Sequence, residues 1–154
     1  MNQEKYCARH IGVIEGETFL AIASNVGRNL HPEFTSERKQ GRALRLPDLL
    51  SVKREGLGSV FRLREVKFKL HEALVRKALG QLQVGVEQLQ QREKDPVIDR
   101  LEIVVPLQNR TLSDAERRFL GEPLGGSRFQ LMLSGGPVTL HAGNLAQAVT
   151  VLVI

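Results

Sequence analysis

Three features of the sequence predict a mixed α/β fold. Two period-two runs, residues 48–54 and 59–68, flank Glu55-Gly56-Leu57-Gly58, and two glycines in four residues mark a turn. Apolar residues then recur at helical spacing over residues 71–92 (Leu74, Val75, Ala78, Leu79, Leu82, Val86 and Leu89). The run RLEIVVP, residues 100–106, is short, β-branched and bounded by Asp99 and Pro106, as a strand would be. Hairpin, long helix and strand in that order describe a sheet covered by helices, not a run of regular βαβ units.

In chain order, MNQEKYCARH reads as a polar lead-in without a signal-peptide core. Residues 11–30 carry Ile14, Leu20, Ala21, Ala23, Val26 and Leu30 at amphipathic-helix spacing, interrupted by Gly12 and Gly16 and ended by Gly27 and Pro32. Residues 31–40 are polar and irregular. Residues 42–46 alternate as a short strand leading into Pro47, where a proline costs no ladder donor. The helix over residues 71–92 contains Gly80, Gly85 and five glutamines, and Asp95-Pro96 ends it. Thr111 or Ser113 caps a further helix start. Residues 121–126, with Pro123 inside, read as loop. Residues 129–133, 138–141 and 149–154 read as strands, the first two joined by a turn at Ser134-Gly135-Gly136-Pro137.

Length and composition bound the function. The 154 residues are expected to form one domain, with a core at about 11–106 and a C-terminal elaboration at 107–154. Hydrophobic residues make up 42% and charged residues 25%, which are globular values. Aromatics are only 5% and Trp is absent, so the core is aliphatic and aromatic stacking is not expected to dominate binding. The net charge of +5, 22 basic against 17 acidic residues, suits a polyanionic partner. A lone Cys7 excludes an internal disulfide framework and a cysteine-rich zinc site. No apolar run is long enough to span a membrane, and the expected setting is the cytoplasm.

The hairpin holds the chemistry. With its turn centred between Gly56 and Leu57, Leu50 faces Leu63, Val52 faces Phe61 and Asp48 faces Glu65, while Lys67 shares a face with Glu65. Leu50, Val52, Phe61, Leu63, Ile103 and Val105 should then be buried within one sheet, with Val104 on its other side. Two opposed carboxylates repel unless a cation lies between them. Carboxylates without nearby His or Cys are hard oxygen donors that favour Mg²⁺ or Mn²⁺. An adjacent lysine can position a water or neutralise a phosphate oxyanion. The set points to phosphodiester hydrolysis. No GxxxxGK[ST] loop supports nucleoside triphosphate chemistry, and the scattered His10, His31, His71 and His141 support no Ser–His–Asp arrangement.

Pro47-Asp48 followed by Glu65-Val66-Lys67 resembles the PD-(D/E)xK nuclease signature of the restriction-endonuclease-like superfamily. The resemblance covers about the first two-thirds of the chain. It implies a core of helix, three-stranded antiparallel sheet, helix and strand, to which this chain adds a C-terminal helix and strands. It also implies a Mg²⁺ (or Mn²⁺) site at Asp48 and Glu65, with Lys67 catalytic. A first-helix glutamate completes the metal site in some branches, and Glu17 matches it best, then Glu15. A glutamine follows the lysine in others, and Gln81 matches best, then Gln83. The implied activity is endo- or exonucleolytic hydrolysis of nucleic acid, with DNA expected. Arg62, Arg64, Lys69, Arg76 and Lys77 are the candidate phosphate contacts. The alternative is a non-catalytic nucleic-acid-binding or assembly module on the same fold. A final strand that pairs with another chain would give a homodimer or dock a cognate protein partner.

Overall fold

The hairpin closes in the predicted register. In the computed structural model, which describes residues 3–15, 18–22, 47–55 and 58–154, Leu50 pairs with Leu63 and Val52 with Phe61. The described elements run α1 (Gln3–Glu15), β1 (Thr18–Ile22), β2 (Leu49–Glu55), β3 (Gly58–Val66), α2 (Glu72–Arg92) and β4 (Val97–Val105). A single turn, α3 (Asp114–Arg117), follows. The chain then forms β5 (Leu120–Gly125), β6 (Arg128–Leu133), β7 (Gly136–Pro137), β8 (Thr139–Ala142) and β9 (Leu145–Val153).

The result is a mixed α/β architecture built on one sheet, ordered β1-β2-β3-β4-β9-β6-β5, with β7 attached to β6 and β8 to β9. Strands β1 to β3 are antiparallel. Strand β4 lies parallel to β3, a pairing that needs a long crossover, here supplied by α2. Strand β9 is parallel to β4, and β6 returns antiparallel beside it.

The alternation of the strands assigns each face its cover. Leu50, Leu63, Ile103 and Val105 pack with Val75, Ala78, Leu82, Val86 and Leu89 of α2. Leu49, Val66, Val104 and Leu152 pack instead with Cys7, Ala8 and Ile11 of α1. Val104 thus faces away from its two neighbours, as predicted. Val52 is half-buried rather than buried. Helix α2 starts at the cap His71, whose Nδ1 accepts the Leu74 N–H. Its buried residues recur every three or four positions. Gly85 lies on that stripe, where a Cβ would come within 3.1 Å of Leu63 Cδ2 and 3.2 Å of Pro47 Cδ. The helix therefore sits close against β3 and against Pro47, at the entry to β2.

Several boundaries differ from the sequence reading. Of the helix expected at residues 11–30, residues 11–15 belong to α1 (Gln3–Glu15), residues 18–22 are strand, and the rest lie outside the described residues. Cys7 and Ala8, from the segment read as a polar lead-in, form the buried stripe of α1 together with Ile11. Thr18-Phe19-Leu20-Ala21-Ile22 is β-branched and apolar, and pairing with β2 outweighs a weak helical period. Strand β4 begins at Val97, directly after Pro96. The segment 121–126 read as loop is mostly strand β5, with Pro123 tolerated at the sheet's edge. The expected strand at residues 42–46 lies outside the described residues.

Candidate active site

Three elements meet at one end of the hairpin. Asp48 immediately precedes β2, Glu65 lies near the end of β3, and Lys67 follows β3, its backbone N–H still bonded to the Val104 carbonyl at 2.9 Å. The predicted opposition of Asp48 and Glu65 is realised through reciprocal contacts. The Asp48 N–H donates to Glu65 Oε1 at 3.3 Å, and the Val66 N–H donates to Asp48 Oδ2 at 2.8 Å. Helix α2 brings in the fourth group. Lys67 Nζ donates to Gln81 Oε1 at 3.0 Å. The fourteen-residue separation of Lys67 and Gln81 is thus closed by one hydrogen bond.

The acid pair is electrostatically poised. Glu65 is 1% exposed, and its Oε2 is buried without a hydrogen-bond partner. Burial first, and then the neighbouring Asp48 carboxylate, push the Glu65 carboxyl up to about 9, against the opposing pull of Lys67. Asp48 and Lys67 are half-exposed, so the site opens to solvent on their side. The orphaned carboxylate oxygen next to a second carboxylate fits a hard divalent cation. No group of three or more His, Cys, Asp or Glu side chains suited to a metal occurs among the described residues. Two carboxylates are a set that suits Mg²⁺, which retains waters and borrows substrate phosphate oxygens. Glu17 lies outside the described residues, and Glu15 is the last residue of α1. Gln83 is engaged elsewhere, donating to Glu87 and to the His141 carbonyl.

The proposed phosphate contacts divide sharply. Lys69, Arg76 and Lys77 are exposed, with Arg76 paired to Glu72 at 3.0 Å. Arg62 and Arg64 must be withdrawn, because both are buried on the face opposite α2. Arg62 forms a two-pronged pair with Asp99, at 2.9 and 3.1 Å. Arg64 bonds Glu102 at 3.0 Å. Glu102 also accepts from Arg128 at 2.5 Å and from Thr150 Oγ1 at 2.7 Å. Burial pushes Glu102 up, but the Arg128 hydrogen bond and the charges of Arg64 and Arg128 prevail and hold it below the ordinary carboxylate value. The signal for this cluster was Glu102 itself, a lone acid within an apolar strand. Its partners come from β3, β6 and β9, which no local pattern links.

The C-terminal third reaches back to the site. Ser113 and Glu116 form a capping box at the start of α3. The same Glu116 carboxylate accepts the Leu70 N–H at 3.0 Å and a two-pronged Arg110 pair at 2.8 and 3.1 Å. Arg110 also donates to the Phe68 carbonyl. The bend that follows Lys67 is therefore pinned on both sides. Arg110 holds the Glu116 carboxyl down to about 2, its hydrogen bond being the largest influence, with burial opposing it and the Leu70 and Ser113 N–H groups adding to it. The S-x-x-E pattern signals the cap, whereas its reach to Leu70, 46 residues earlier, has no signature in sequence.

No helix among the described residues is long and apolar enough to cross a membrane. No family model, curated protein or solved structure matches this chain.

Proposed function

We propose that this chain is a Mg²⁺-dependent phosphodiester hydrolase of the PD-(D/E)xK type, acting on nucleic acid, with DNA the expected substrate. The observation that carries the reading is the convergence of Asp48, Glu65, Lys67 and Gln81 from three separate elements, with Lys67 Nζ held by Gln81 Oε1 at 3.0 Å. The order helix, three antiparallel strands, helix, parallel strand supports a restriction-endonuclease-like core. Asp48 and Glu65 would hold the cation, and the unpartnered Glu65 Oε2 supports that role. When bound, the ion polarises a phosphoryl oxygen and makes water a better nucleophile. Gln81 orients the Lys67 ammonium, which positions the attacking water and offsets negative charge developing on the phosphate. Lys69 and Lys77, both exposed, suit backbone contacts, and the net charge of +5 favours a polyanion.

The test is cleavage of linear, circular and branched DNA and of RNA, with Mg²⁺, Mn²⁺ or chelator. Wild type should cleave at least one substrate, and only with metal. Lys67→Ala should lose about 10³-fold in rate while keeping its fold and its affinity for nucleic acid. Gln81→Ala should lose less, since it acts through the lysine. Nucleic-acid binding without cleavage of any substrate would instead establish the non-catalytic module. Substantial cleavage by Lys67→Ala would remove the catalytic assignment.

A further inference from the structure

Aromatic side chains are scarce in this chain, yet one of them stands in solvent beside the candidate active site. Phe68 is 56% exposed. It directly follows Lys67, about 3.8 Å away between Cα atoms. Tyr6, Phe61, Phe119 and Phe129, by contrast, are buried or half-buried. Phe68 is also held in place. Its carbonyl accepts from Arg110, and the Leu70 N–H two residues on donates to the buried Glu116 carboxylate. A large apolar ring displayed on a bend fixed at both ends loses little freedom when something lies against it.

The ring opens on a cleft of about 600 Å³, the size of a small-molecule pocket. Lys69, His71 and Arg110 line it together with Phe68, Ser113 and Glu116. Lys69 and His71 are exposed, and His71 caps the positive N-terminal end of α2. The cleft thus combines an aromatic platform with the Lys69 ammonium and the positive end of a helix, the Arg110 charge being already met by Glu116. That combination holds a single nucleic-acid strand, with bases stacking on the ring and phosphates drawn to the cations. A base inside a duplex has both faces covered by its neighbours and cannot offer one to Phe68.

We propose that Phe68 is a stacking platform for an unpaired nucleotide next to the scissile phosphate, so that this site takes single-stranded or locally unpaired nucleic acid in preference to intact duplex. The inference rests on the hydrolase reading for the position of the scissile phosphate. A phenyl ring offers no hydrogen bonds, so the platform discriminates strandedness and not base identity, and accepts DNA and RNA alike.

The test measures binding in chelator, where no cleavage occurs, using labelled single-stranded DNA, single-stranded RNA and blunt duplex DNA of one sequence. Wild type should prefer the single strands. Phe68→Ala should weaken single-strand binding about tenfold and duplex binding by less than about twofold, and Phe68→Trp should restore the wild-type preference. Equal affinity of Phe68→Ala and wild type for single strands, equal losses on single strand and duplex, or no preference in wild type would each overturn the proposal. Cleavage of the same oligonucleotides after adding Mg²⁺ separates the two readings. A stacking preference without cleavage by wild type keeps the platform and removes the hydrolase. Cleavage with no effect of Phe68→Ala keeps the hydrolase and removes the platform.

Discussion

Glu65 and Glu102 lie on neighbouring parallel strands, one register step apart, since Glu65 pairs with Ile103 and Arg64 with Glu102. Both are essentially buried. Their environments are opposite. Glu102 faces two arginines and a threonine hydroxyl, and its charged form is favoured. Glu65 faces a second carboxylate, keeps one oxygen without a partner, and has only Lys67 and the Asp48 N–H to favour its charge. Desolvation penalises both carboxylates equally in kind. The partners decide the outcome. A buried acid whose partners are complete behaves as structure, whereas one left incomplete stores unfavourable energy that a cation can relieve. The two faces of one sheet thus separate an ionic core from a poised site.

The largest effect should come from breaking the complete cluster. Glu102→Ala leaves the buried Arg64 and the half-buried Arg128 without their shared acid, and should cost about 3–5 kcal/mol. For a chain of this length that lowers the melting temperature by roughly 10 °C. A loss below about 1 kcal/mol in denaturant titration would erase the contrast between the two glutamates.

The incomplete site should respond with the opposite sign. A carboxyl raised to about 9 when folded keeps a proton that the unfolded chain releases above about 4.5. Stability should therefore fall as pH rises from about 4.5 to about 9, in metal-free protein. Glu65→Gln resembles the protonated acid, can still accept the Asp48 N–H, and should remove that slope. The variant should gain on the order of 2 kcal/mol over wild type at neutral pH while losing all cleavage. Melting curves across this pH range in chelator check it. Parallel curves for wild type and variant would show that Glu65 is not held protonated. Asp48→Ala is a less informative probe, because relieving the acid pair is offset by orphaning the Val66 N–H.

Glu116 extends the comparison to a third buried glutamate. Its carboxyl is held to about 2, so its stabilising charge is fully present above about 4.5 and is lost as pH falls toward 2. Glu116→Gln should be less stable by about 2 kcal/mol at neutral pH, with the difference shrinking below pH 4.5. A constant difference across that range would mean that the effect is packing rather than charge.

The sequence was most legible where the signals were local. The Gly56–Gly58 turn and two alternating runs set the β2–β3 register, and that register alone placed Asp48 against Glu65. The spacing of Val75, Ala78, Leu82, Val86 and Leu89 gave α2, and with it Gln81 on the side of Lys67. Legibility failed where tertiary contacts decide. Cys7, Ala8 and Ile11 form a stripe too short and too mixed to signal a helix until the sheet covers it. Arg62 and Arg64 look like surface charges on an alternating strand, because the acids that bury them arrive more than thirty residues later.

The smallest effect is also the finest test of how the site is assembled. Gly80 and Gly85 share α2, and in an exposed helix either one replaced by Ala would gain about 1 kcal/mol. Nothing lies within 4 Å of a Cβ at Gly80, so Gly80→Ala should realise that gain and leave activity unchanged. At Gly85 the added methyl would meet Leu63 at 3.1 Å and the Pro47 ring at 3.2 Å. The leucine can turn, but the proline ring is rigid and is bonded directly to Asp48. Relief must come from lifting α2 off the hairpin or from moving Pro47. The first carries Gln81, one turn earlier on the same face, away from Lys67, and the second shifts Asp48 against Glu65. Gly85→Ala should therefore forfeit the helix gain and lower the rate about tenfold, with the fall in kcat rather than in KM. Equal stabilisation by both substitutions, with full activity, would show that α2 does not set the spacing between Gln81 and Lys67.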